Sequence, residues 1–161
     1  RGWARLHQSK WQESVEDFSR VVALDAGVAD AYIGLADARH GQGELEAALI
    51  HLDVGIDVVM DQQWLLHNKK GVLLIKNEQW EAARDAFVVL TQQEDEEAQA
   101  EGYFSLGKWY QAKGDLKGAF DHWRKASDIF HIEADQHIEL YCSEFVEQEL
   151  RNKVDVASTK Q

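Results

Sequence analysis

Proline is absent from this 161-residue chain, cysteine and methionine occur once each, and no run of 18 apolar residues exists. Without proline no position carries the strongest helix breaker, which favours an all-helical reading. A single cysteine, Cys142, excludes an internal disulfide and leaves the redox compartment open. The lack of a long apolar run excludes a helical membrane span, and no signal-peptide pattern is found. Basic residues are few: 17 Lys and Arg stand against 29 Asp and Glu, a net charge of -12. An anionic surface repels phosphate backbones, so nucleic acid is not an expected partner.

Motifs of catalysis are missing as well. The chain has no GxxxxGK[ST], no GxSxG and no HExxH. The GQGELE stretch at Gly41 lacks the third glycine of a dinucleotide loop. Neither a cofactor nor a metal is expected, and the chain reads as a non-enzyme. Composition is otherwise that of a globular protein, 45% hydrophobic and 29% charged, at a length suited to one domain. The chain opens at Arg1 rather than Met, as an excised piece of a longer protein would, and no compartment is assigned.

What is present is a repeat. SKWQESVEDFSRV from Ser9, GELEAALIHLDVG from Gly43, EQWEAARDAFVVL from Glu78 and GDLKGAFDHWRKA from Gly114 align without gaps. Trp11, Leu45, Trp80 and Leu116 form one column, at spacings of 34, 35 and 36 residues. Ser14, Ala48, Ala83 and Ala119 form a small-residue column, and Phe18, Leu52, Phe87 and Trp123 a bulky one, at the same spacings. A second helical stretch precedes each of the last three segments and carries a small residue at Ala36, Gly71 or Gly107, with Gly2 in the same column. Each period is therefore two short helices and a tight turn, with Gly41, Gly43, Asn77 and Gly114 as turn signals. Ser9 with Gln12, and Thr91 with Glu94, have capping-box spacing. The acidic run Glu94 to Glu97 suits a helix start, where negative charge favours the helix dipole.

These residues resemble the tetratricopeptide repeat (TPR) family, whose unit of about 34 residues is a helix-turn-helix. The fourth repeat carries the likeness best, at Tyr103, Leu106, Gly107, Tyr110, Ala119, Trp123 and Ala126, and the second at Tyr32, Leu35, Ala36, Ala48 and Leu52. The family's proline at the repeat end is missing throughout. The resemblance implies an all-α, right-handed α-solenoid of about four repeats, over residues 1–28, 29–60, 61–97 and 98–130, within one domain spanning 1–154. Beyond Phe130, Ala134, Ile138, Tyr141 and Phe145 form an apolar stripe, read as a capping helix over 131–154 before a frayed tail at 155–161.

The resemblance also places a groove on the first helix of each repeat. By alignment its residues are Asp30, Ile33, Asp37 and His40 in the second repeat, Leu65, Asn68, Val72 and Ile75 in the third, and Glu101, Phe104, Lys108 and Gln111 in the fourth. Asp30 and Asp37 stand where family members that clamp a terminal carboxylate carry Lys or Asn, so that mode is not expected. The mixture suits an apolar or mildly basic peptide or helix.

Two further sets are weighed against plain structural roles. His131, Glu133, Asp135 and His137 are the densest set of possible metal ligands, but their i,i+4 pairs point in different directions, as a solvated helix start allows. Trp11, Trp80 and Trp123 fall on core columns, whereas Trp64 and Trp109 do not, and packing there is weighed against partner contact. The expected function is a non-catalytic interaction scaffold. The alternatives are a structural segment of a larger solenoid, self-associating through an incomplete first repeat, and the regulatory domain of an enzyme whose catalytic part lies elsewhere.

Overall fold

The computed structural model describes residues 1–129. Among them are eight α-helices and no strand. They are α1 (Gly2–His7), α2 (Trp11–Leu24), α3 (Ala29–Gly41), α4 (Leu45–Val58), α5 (Gln63–Lys76), α6 (Trp80–Thr91), α7 (Glu96–Ala112) and α8 (Leu116–Ile129). The expected capping helix, the tail, the His131 to His137 set and Cys142 lie outside the described residues. The chain divides into two compact units, Arg1–Ala86 and Phe87–Gln161, with the boundary inside α6.

In the first unit α3 packs against both α2 and α4, and α5 against α3 and α4. Its larger core cluster draws Tyr32 and Ala36 from α3, Ala48 and Leu52 from α4, and Leu66 and Leu73 from α5. A second cluster joins Val15 and Phe18 of α2 to Leu35 and Ala38 of α3. In the second unit α7 and α8 close on Phe104, Ala119, Trp123 and Ala126.

The repeat columns explain how these helices approach. Ser14, Ala48, Ala83 and Ala119 are all fully buried, and so, within a few per cent, are Phe18, Leu52, Phe87 and Trp123. The Ser14 hydroxyl avoids an unpaired buried dipole by donating to the Lys10 carbonyl at 3.1 Å. Small residues sit opposite large ones. A Cβ on Gly2 would stand 2.9 Å from Phe18 Cζ, and one on Gly107 would press into the Trp123 indole. That indole is fixed in turn, since Nε1 donates to the Phe104 carbonyl at 3.1 Å.

The Trp11, Leu45, Trp80 and Leu116 column behaves differently. All four are the first residues of their helices and are only half-buried, because a helix start projects past the neighbour it packs on. Trp11 instead covers Gly41, where a Cβ would lie 2.7 Å from its ring. Trp109, off the core columns, is nevertheless only 7% exposed, while Trp64 is half-buried. Partner contact through the Trp109 ring therefore drops out.

Turn chemistry also departs from expectation. Left-handed backbone falls on Ser9, Gly43, Glu78 and Gly114, again at the 34, 35 and 36 spacing, and outside that column on Gln62, the N-cap of α5. Asn77 is not that residue in the third repeat; with φ of -108° it precedes Glu78, which takes φ of 61°. Ser9 cannot cap α2, whose N-cap is Lys10 with no side-chain bond. Thr91 ends α6, its hydroxyl donating to the Val88 carbonyl. The cap of α7 is Asp95, whose carboxylate accepts from the Ala98 N–H at 2.8 Å, with Glu96 and Glu97 in the first turn.

Candidate interaction surface

Helices α3 and α5 pack on each other in the first unit, and they carry the second- and third-repeat positions that alignment assigns to a groove. Two cross-helix contacts tie them together. Lys69 Nζ stands 2.6 Å from Asp37 Oδ1, with both side chains about one-fifth exposed, at 21% and 20%. Toward the C-terminal ends, the Asn77 side-chain amide donates to the Leu73 carbonyl at 2.7 Å and reaches His40 Nε2 at 3.3 Å. That pairing suits a neutral His40 with Nε2 as acceptor.

Around these contacts, Asp30 is exposed in the first turn of α3. Ile33 and Leu65 are half-buried and rest on the core cluster. Asn68, Val72 and Ile75 are half-buried along α5. These helices thus carry two polar cross-helix contacts together with aliphatic side chains that still show surface. Neither Lys69 nor Asn77 was among the groove residues. Lys69 neighbours the chosen Asn68, and its charge, opposite to that of Asp37 one repeat earlier, was the available signal. Asn77 carries only a turn signal in the sequence.

The second unit places its groove positions less evenly. Phe104 is a core residue, 8% exposed and packed with Trp123 and Ala126. Lys108 lies over it, Nζ 4.1 Å from the ring centroid, so the surface there is ammonium rather than phenyl. Glu101 is half-buried and near the Ser105 hydroxyl, at 3.5 Å. Gln111 is half-buried one turn beyond Lys108.

In the first unit, two histidines are held below their ordinary pKa by their surroundings. His67 of α5 and His51 of α4 both fall below the usual 6.5, chiefly because burial disfavours the charged ring. The Lys70 charge adds to the effect at His67, against Asp53, and Arg39 adds to it at His51. Lys70 itself binds Asp53 at 2.5 Å, fastening α5 to α4.

Among the described residues, no group of three or more His, Cys, Asp or Glu is placed to hold a metal ion. No helix among them is long and apolar enough to cross a membrane.

No family model matches the sequence, and no curated protein matches it. Solved structures do. PilF of Pseudomonas aeruginosa superposes with a TM-score of 0.72 at 15% identity, over 93% of this chain and 66% of that one. The chain thus spans just under two thirds of that protein's length. A thermophilic TPR protein of Thermus thermophilus gives 0.66 at 20% identity, covering 90% and 78%. MamA gives 0.60 at 15% identity, covering 98% and 96%. Helix pairs at a 34 to 36 residue period, small columns set against large ones and these superpositions agree: the chain has the fold of the tetratricopeptide repeat proteins.

Proposed function

We propose that this chain is a non-catalytic protein-interaction scaffold, holding an apolar or mildly basic segment of a partner against the α3–α5 face. The observation that carries the reading is the paired seam of Asp37–Lys69 and His40–Asn77 running between half-buried aliphatic residues. A repeat of helix pairs buries one side of each helix in its neighbours and leaves the other for binding, which is why such folds serve as scaffolds. Pre-formed ion pairs fix the donors and acceptors of such a face before a partner arrives, lowering the ordering cost of binding.

Because Asp37 already holds Lys69, a plain charge reversal at Asp37 would disturb the fold as well as the surface. The informative variant is the swap Asp37→Lys/Lys69→Asp, which keeps an internal pair and inverts its polarity along the face. In affinity capture from the source cell's lysate, a partner of this face is retained by the native chain and lost from the swapped chain at unchanged melting temperature. A partner retained equally by both, with both folded, contradicts the assignment to this face.

A further inference from the structure

Helix α4 shows three aliphatic side chains to solvent, one per turn: Ile50 is 60% exposed, Val54 46% and Val58 43%. The repeat does not require the first two of them to be aliphatic. In the column of Ile50 the other repeats carry Glu16, Asp85 and Asp121, all exposed, and in that of Val54 they carry Arg20, Val89 and Lys125, exposed likewise. These columns face water in every repeat, and the first holds an acid in all repeats but this one. Aliphatic residues at such places leave about half of their surface to water, and apolar surface lined up along one helix face is the kind that marks binding.

A second pattern lies directly beside the first. Glu46, Asp53 and Asp57 recur at 7 and 4 residues, which stacks them along one line of the helix next to Ile50 and Val54. Asp53 is occupied by Lys70, leaving Glu46 and Asp57 as exposed carboxylates at either end of the stripe.

We infer that this outward face of α4 docks a basic amphipathic helix of a partner protein, independently of the α3–α5 face. Such a helix lays leucine-like side chains on Ile50, Val54 and Val58, while lysine or arginine stems reach past them to Glu46 and Asp57. The adjoining carboxylates decide among occupants. A second copy of this chain, packed stripe to stripe, would set acid beside acid, and an anionic lipid surface would be repelled by a chain of net charge -12.

The test is an NMR titration of the isotope-labelled chain with a synthetic amphipathic helical peptide, leucine on one face and lysine on the other. A companion peptide carries glutamate for lysine. The variants are Ile50→Gln/Val54→Gln, Glu46→Lys/Asp57→Lys, and a control of equal charge change at exposed residues off both faces, Glu81→Lys/Asp121→Lys. The lysine peptide should perturb α4 amides, and its affinity should fall about tenfold in both α4 variants while the control changes about twofold or less. The glutamate peptide should not bind. Equal weakening in all three variants would reduce the effect to bulk charge and overturn the inference. So would perturbation centred on α3 and α5, absence of binding by the lysine peptide, or light scattering that finds a native dimer made monomeric by Ile50→Gln/Val54→Gln. Should the double Gln variant melt early, Val54→Gln alone is read by the same criteria.

Discussion

At the scale of single residues, the backbone and side chains are forced together most closely at the repeat turns and at the small-residue columns. Glu78 sits in the left-handed region at φ of 61°, in the column that Gly43 and Gly114 occupy elsewhere. An L side chain there costs about 1 to 2 kcal/mol, part of which Gly returns as extra freedom of the unfolded chain. Glu78→Gly should therefore raise stability by about 0.5 to 1 kcal/mol, seen as a higher urea midpoint at unchanged slope. Gly107 tests the opposite balance. Alanine would gain about 1 kcal/mol of helix propensity, yet its Cβ would lie 2.8 Å from Trp123 Cε2. Overpacking of a fixed indole costs about 1 to 3 kcal/mol, so Gly107→Ala should lower the melting temperature despite the better helix former. Gly118 follows the same logic, its N–H bound by the Asp115 carboxylate at 2.8 Å and its open side covered by the Tyr110 ring.

At the scale of elements, α5 is held by the burial of Leu66, Leu73 and Leu74 and carries two ion pairs besides, Lys69 to α3 and Lys70 to α4. His67 on α5 and His51 on α4 add a pH term. Their folded values lie below the 6.5 of an unfolded chain, so the unfolded state binds more protons as pH drops. The stability they support is fully present above pH 6.5 and is lost as pH falls through their lowered values. Melting temperature should fall on acidification from pH 7 to about 5, and the His67→Gln/His51→Gln variant should flatten that slope. An equal slope in the variant would assign the effect to other groups. The pairing of helices was legible in the sequence because its signal is steric and periodic: Ala48 and Ala119 are small wherever helices touch. Turn and cap assignments were less so. Ser9 and Glu78 adopt a glycine conformation that no side-chain rule announces, and Asp95 took the cap that spacing offered to Thr91. Trp11 and Trp80 share a core-like column, yet burial of a helix's first residue depends on what lies beyond its end.

At the scale of the molecule, the 34 to 36 residue period sets the helix pairs, while binding depends on positions the period leaves variable. That is why the period reads as a fold, while the groove positions rest on alignment alone. Ile33, Asp37, His40, Asn68, Val72 and Ile75 do fall on the adjoining helices α3 and α5. Phe104 instead supports Trp123, since a column equivalent to half-buried Ile33 can still turn inward when a lysine covers it. The central claim is that the α3–α5 face meets a partner. Its most direct test places a photo-crosslinking residue at Val72 on that face or at exposed Glu81 on α6, followed by irradiation in the source cell. The account expects a discrete partner adduct from Val72, absent from Glu81 and lost in the Asp37→Lys/Lys69→Asp background. Adducts of equal yield from both sites, or from Glu81 alone, would contradict it.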